Sequence, residues 1–203
     1  MQRISGFLLL CIVFQAFAFA QDAPSTEEKR GTLSKGNIYN NPVLGLTVNL
    51  PGSWQLEQRG AAHGASSEGC TGPLCGDPDI DVAIRADERS PNLDLYLAAW
   101  KLSAEYRNRN RYPLKWFAQI MTTGSLGGSN WVPLGSLTEI RIDGRPAYRL
   151  LVHAPDTKEA QAAGYVSEAN GYVFLLVGHA ASSTDEPVLQ TSVEAMMFSK
   201  SLR

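Results

Sequence analysis

Residues 162–180 read Ala-Ala-Gly-Tyr-Val-Ser-Glu-Ala-Asn-Gly-Tyr-Val-Phe-Leu-Leu-Val-Gly-His-Ala, with extended runs at 164–169 and 172–180 meeting at Asn170-Gly171. Asn-Gly between apolar runs predicts a tight hairpin, because both residues tolerate the positive φ that a type I′ turn demands. The run after the turn, Tyr172-Val173-Phe174-Leu175-Leu176-Val177, shows no polar alternation. A strand that is apolar on both sides has to be covered on both faces, so the surrounding chain must supply two packing layers. This argues for a sandwich with the sheet inside.

Outward from this hairpin, residues 137–142 and 147–153 predict a second one, turning at Asp143-Gly144. Paired across the turn, Leu137, Leu150 and Tyr148 fall on one face, and Ile140, Ala147 and Leu151 on the other. Pro146 removes one ladder donor, which an edge or a bulge tolerates. Toward the C-terminus, Thr184 caps a helix with Asp185 and Glu186 in its first turn. Leu189, Val193, Met196 and Met197 form its buried stripe, and Phe198 completes the core.

Toward the N-terminus, Ser90-Pro91 reads as a helix start, a capping serine followed by a proline whose missing N–H costs nothing there. Leu93, Leu97, Trp100 and Ala104 recur at helical spacing, widened by Leu95, Ala99, Leu102 and Tyr106. Arg107, Arg109 and Arg111 then read as cations complementing the helix C-terminus, the alternative being a patch for an anionic partner. A shorter amphipathic run covers 114–121, and a glycine-rich stretch covers 122–130. That stretch lacks the Lys-Ser/Thr of a phosphate-cradling loop. Residues 44–50 alternate as a half-buried strand, ended by Pro51-Gly52-Ser53-Trp54.

Residues 58–78 are too polar and irregular for an element, and loops beyond about fifteen residues are usually functional or mobile. They hold Cys70 and Cys75. For an exported chain this pair points to a structural disulfide across Gly72-Pro73, with a redox pair or half of a metal site as alternatives. Asp77, Asp79 and Asp81 follow at alternate positions. Without the glycine and glutamate of a calcium loop, they read as one side of a strand whose Ile80, Val82 and Ile84 face the core.

The chain begins with a basic residue, Arg3, runs through an apolar core over 7–19 and reaches Ala18-Phe19-Ala20. This is the pattern of a secretory signal peptide cleaved after Ala20. Cys11 is not preceded by the small residue that a lipidation site needs. Removing residues 1–20 leaves 183 residues, ample for one core and without a membrane-spanning segment. The loss of Arg3 takes the formal charge from −2 to −3, which carries no nucleic-acid footprint. Residues 21–37 read as a flexible leader, too polar to repay ordering. Residues 38–203 read as a single globular domain.

Tyr39 with its neighbouring asparagines, the run 45–54 ending Pro-Gly-Ser-Trp, and Ile142-Asp143-Gly144-Arg145-Pro146-Ala147-Tyr148 set a recognisable order. Together with the Gly-Tyr hairpin and a final helix ending Met/Phe, they resemble the PsbP-like superfamily, whose fold includes Ran-binding Mog-type proteins. The resemblance spans most of residues 38–203. It implies an α+β fold, an α/β/α sandwich with a central antiparallel β-sheet covered by helices on both faces. Members with known roles are largely non-enzymatic accessory or binding proteins, such as extrinsic subunits of photosystem II. The motifs are scaffold motifs, so no functional residue carries over.

There is no Gly-x-Ser-x-Gly nucleophile turn. Of the three histidines, His63 lies in the long loop, while His153 and His179 end predicted strands. If those strands were neighbours, the two imidazoles with Glu168 or Asp156 could bind zinc or move protons. The four tryptophans, Trp54, Trp100, Trp116 and Trp131, are expected mainly in the core. The leading expectation is therefore an exported, secreted or periplasmic, non-enzymatic protein that binds an envelope partner or a small ligand. It is expected to use no cofactor, metal or nucleic acid. The alternative is a small hydrolase or metal-dependent enzyme built on His153 and His179.

Overall fold

The computed structural model describes residues 23–35, 37–50, 54–58, 72–74, 76–86, 93–127, 131–156, 162–180 and 186–198. The expected signal peptide, His63, Cys70 and Cys75 lie outside the described residues. In chain order the elements are α1 (Thr26–Arg30), β1 (Thr32–Leu33), β2 (Ile38–Asn41), β3 (Leu46–Asn49), β4 (Trp54–Gln58) and β5 (Ile80–Ala86). They continue with β6 (Leu93–Lys101), α2 (Leu114–Gly127), β7 (Val132–Pro133), β8 (Thr138–Ile142) and β9 (Arg145–His153). The chain then forms β10 (Ala162–Ala169), β11 (Tyr172–Ala180), α3 (Glu186–Glu194) and β12 (Met197–Phe198). Among the described residues no helix is long and apolar enough to cross a membrane.

Two antiparallel sheets result. The larger has the order β4-β5-β6-β11-β10-β9-β7, with β8 also paired to β9, and the smaller has the order β1-β2-β3-β12. The β10–β11 hairpin sits in the middle of the larger sheet, and its turn is type I′ as expected, with φ of 49° at Asn170 and 83° at Gly171. Asp143 and Gly144, at 47° and 75°, make the same turn between β8 and β9.

Register decides what each face buries. Phe174 and Leu176 share one face with Leu97, Ala99 and Tyr165, while Val173 and Leu175 share the other with Ala98, Trp100 and Val166. The second face is covered by α2, through Leu114, Phe117, Ala118 and Met121. The first is covered by the smaller sheet, through Tyr39, Leu46 and Val48, together with Val193 and Met196 at the α3 end. The faces expected for Ile140, Ala147 and Leu151, and for Leu137, Tyr148 and Leu150, agree with these two cores.

Three expectations need correction. Residues 93–101 are a central strand and not a helix. A run reading Leu-Asp-Leu-Tyr-Leu-Ala-Ala-Trp carries both periods, and pairing with β5 and β11 along its length selects the extended one. The helix cover expected on both faces is met on one by α2 and only in part on the other, where α3 contributes. With the first predicted helix absorbed into the sheet, that cover falls to the four-stranded sheet and the short α3. Thirdly, within residues 21–37, read as a flexible leader, α1 and β1 form. Ser25 and Glu28 make a reciprocal capping box, with Glu28 N donating to Ser25 Oγ at 3.2 Å and Ser25 N to Glu28 Oε2 at 2.7 Å. The expected helix at 114–121 also runs further, to Gly127, with the Thr122 hydroxyl donating back to Ala118 O at 2.6 Å.

A buried clasp holds this N-terminal segment. The Tyr39 hydroxyl donates to Arg30 O at 3.0 Å, and Asn41 Nδ2 donates to Lys29 O at 2.9 Å and to the Tyr39 oxygen at 3.1 Å. Gly31, at φ 73°, lets the backbone close over the ring, since a Cβ there would lie 2.6 Å from Asn40 O. Burial pushes the Tyr39 phenol up to about 12 from its ordinary 10.0, against the smaller opposing effect of Asn41. A raised folded value means the contribution of Tyr39 is fully present below the unfolded value and is lost as pH rises through the folded one. Urea midpoints should therefore hold below pH 10.0 and fall toward about 12 with a component absent from Tyr39→Phe. At neutral pH that variant should be less stable by about 1 kcal/mol, the net value of an ordinary hydrogen bond.

Candidate functional site

Antiparallel order brings four strand ends together at the Asn170-Gly171 end of the larger sheet. They are the end of β6 at Lys101, the start of β11 at Tyr172, the end of β10 at Ala169 and the start of β9 at Arg145. Leu102 N donates to Gly171 O at 2.9 Å, and the chain then leaves the sheet in a series of turns. Arg107 N donates to Ser103 O at 3.2 Å and Tyr112 N to Asn108 O at 2.8 Å, which curls residues 103–112 back over this end. The three arginines read as a helix terminus are therefore turn residues that precede α2.

Each arginine is held differently. Arg107 donates from Nε to Leu102 O at 3.0 Å, and its Nη2 lies 3.6 Å from where a Cβ on Gly171 would stand. Arg109 donates to Tyr106 O at 2.9 Å and Tyr112 O at 3.3 Å, ion-pairs with Glu168 and lies 5.5 Å from the centre of the Phe117 ring. Arg111 turns away to Glu105, at 3.6 Å, and to the Tyr112 ring. A fourth arginine, Arg145, arrives from the Asp143-Gly144 turn and stacks 4.5 Å above the Phe198 ring.

Arg107, Arg109, Arg145, Glu168, Asn170 and Gly171 line an open cleft of about 430 Å³. A second hollow, of about 590 Å³, adjoins it across Arg107 and Asn170 and reaches Lys101, Tyr172 and Val43. Asn170 is fixed by donating from Nδ2 to Val43 O at 3.1 Å, and β6 is fixed by Lys101 N donating to Asp79 Oδ2 at 2.8 Å. Burial, and then the charge on Asp79, push the Tyr172 phenol upward. Glu168 neutralises Arg109. Among the described residues neither Arg107 nor Arg145 forms an ion pair, so two guanidinium groups face the cleft without a partnering carboxylate.

The histidines expected to share a site do not meet. Val152, Ala162 and His179 are in register across β9, β10 and β11, which puts His153, the next residue on β9, on the opposite face. His179 packs edge-on to Trp131 with ring centres 5.3 Å apart, whereas His153 Nδ1 lies 2.7 Å from Ala154 O. Glu168 is engaged with Arg109 at the far end of β10. Among the described residues no group of three His, Cys, Asp or Glu side chains could hold a metal ion. Trp100, Trp116 and Trp131 are half-buried beside the α2-side cores, and Trp100 Nε1 donates to Gly76 O at 3.3 Å. Arg145 was missed as a site residue. Its only sequence signal is a cation directly after a type I′ turn, which says nothing about what lies across the sheet.

No family model and no curated protein matches the sequence. Among solved structures the chain is similar to cyanobacterial PsbP from Synechocystis sp. PCC 6803. The match has a TM-score of 0.56 and 14% identity, over 83% of this chain and 96% of that one. The PsbP-like resemblance is thus shown as a likeness of fold. Weaker matches are LpqN, involved in cell envelope biogenesis of Mycobacterium tuberculosis, and a protein from Bacteroides thetaiotaomicron. The first has a TM-score of 0.43 and 14% identity, over 76% of this chain and 83% of that one. The second has a TM-score of 0.36 and 11% identity, over 86% of this chain and 50% of that one.

The Arg109 and Glu168 side chains remain 33% and 36% exposed, so water screens their attraction. A double-mutant cycle with Arg109→Gln and Glu168→Gln, read by urea unfolding, should give a coupling of no more than about 1 kcal/mol.

Proposed function

We propose that this chain is an exported, non-enzymatic accessory protein that binds a carboxylate-bearing ligand or partner in the Arg107–Arg145 cleft. The observation carrying this reading is the pair of guanidinium groups held beside the Asn170-Gly171 turn without an ion-pair partner among the described residues. Guanidinium is planar, permanently charged and presents paired donors that match a carboxylate, and its bonds to an anion are roughly twice as strong as neutral ones. The stacked Phe198 and the Leu102 carbonyl restrict the two side chains before a ligand arrives, which lowers the ordering cost of binding. An accessory role accords with what the PsbP-like resemblance implies.

Export rests on the sequence, through the signal segment ending at Ala20 and the Cys70–Cys75 pair. The oxidising compartment that such a segment leads to is where a disulfide persists. Nothing in the geometry favours the hydrolase alternative, since His153 and His179 lie on opposite faces of the sheet.

Succinate added to the isotope-labelled protein should shift the amides of Asn170 and Gly171 and the Nε resonances of Arg107 and Arg145. Combining Arg107→Gln with Arg145→Gln should abolish those shifts, and unchanged binding by that variant would remove the reading. The intact mass of the protein recovered after export should match residues 21–203, lighter by the hydrogen pair lost on forming one disulfide.

A further inference from the structure

We infer that the two adjoining hollows are one groove for an extended, acidic polypeptide segment of a partner protein; this rests on the anion-binding reading above and specifies its ligand. Three observations converge. The first is length. Lys101 and Arg145 stand at the ends of β6 and β9, three strand spacings apart in the order β6-β11-β10-β9, or about 14 Å. About four residues of extended chain, at ~3.3 Å each, match that distance between the strand ends.

The second is the arrangement of charge. Lys101, Arg107 and Arg145 are spread along the groove and do not converge on one point, and Glu168 lies among them beside Arg109. With the Arg109–Glu168 pair set between them, these cations do not surround one point as a phosphate site would require. A peptide can place its own carboxylates on the cations and turn a backbone N–H toward Glu168. The third is contrast. The whole chain carries a formal charge of −2, so this basic track is local, and a long polyanion such as nucleic acid would meet repulsion beyond it. Asn170, fixed at the junction of the two hollows by its bond to Val43 O, stands where a passing backbone would lie.

The test is fluorescence anisotropy of the intact chain with a labelled peptide of about eight residues alternating Asp and Ser, long enough to overrun the groove. Its Asn-for-Asp counterpart, succinate, inorganic phosphate and a single-stranded oligonucleotide serve as comparisons. The acidic peptide should bind at least about tenfold tighter than succinate, and the Asn counterpart should not bind. Lys101→Gln and Arg145→Gln, at opposite ends, should each weaken the peptide roughly tenfold, and Lys101→Gln should leave succinate unaffected.

A peptide that binds no tighter than succinate, or that ignores Lys101→Gln, overturns the groove while leaving the anion site standing. Displacement of the peptide by phosphate or oligonucleotide at equal charge concentration overturns the polypeptide assignment. If neither succinate nor peptide binds, the anion-binding reading falls as well.

Discussion

The structure depends on the burial of β11 from both sides. Val173, Phe174, Leu175 and Leu176 expose none of their surface, and they alternate between two separate cores. Fully burying such a side chain is worth about 1.5–3 kcal/mol, so leaving either face of this strand bare would forfeit much of the stability of an ordinary domain. One face is met by α2 and the other by the four-stranded sheet with α3, two unlike layers satisfying the same demand. The N-terminal clasp around Tyr39 follows from this. It ties α1 and β1 to the smaller sheet that covers the first face.

The same hairpin sets the candidate site. A type I′ turn with Asn170 and Gly171 in the left-handed region is tight, and it defines the end of the sheet to which β6, β9 and β10 also bring their ends. Gly171 has a second role there, since the absence of a side chain lets the Arg107 guanidinium lie against it. The turns after β6 carry Arg107 and Arg109 back over the strand ends, and the neighbouring hairpin delivers Arg145. Binding groups carried on short turns anchored to a sheet are held more firmly than groups on a long loop. The pairing of Arg109 with Glu168 then divides the cations into one that shapes the cleft and two without a partnering carboxylate among the described residues.

Local chemistry accounts for what could be read from the chain alone. Both type I′ turns, the facing of the second hairpin, the alternation of Ile80, Val82 and Ile84 and the C-terminal helix, though not the burial of Met197, which stands exposed on β12, rest on residues close together in sequence. For these, a turn residue or a period of two states the answer directly. The failures share another cause. Residues 93–101 fit a helix and a strand equally well, and only pairing on both sides by β5 and β11 chose between them. Residues 26–33 looked too polar to order. Their stabilisation comes from the capping box and from Tyr39 and Asn41, the latter up to twelve positions further along.

The sequence by itself therefore determined the central hairpin and its need for two covering layers, because each follows from backbone preferences and apolar periodicity within a few residues. Only the tertiary structure decided which segments supply the cover, that His153 and His179 face opposite ways, and that Arg107 and Arg145 share a cleft. Those outcomes depend on strand order and register. Residues remote in the chain are then brought side by side, and a one-residue change of register reverses the face on which each side chain stands.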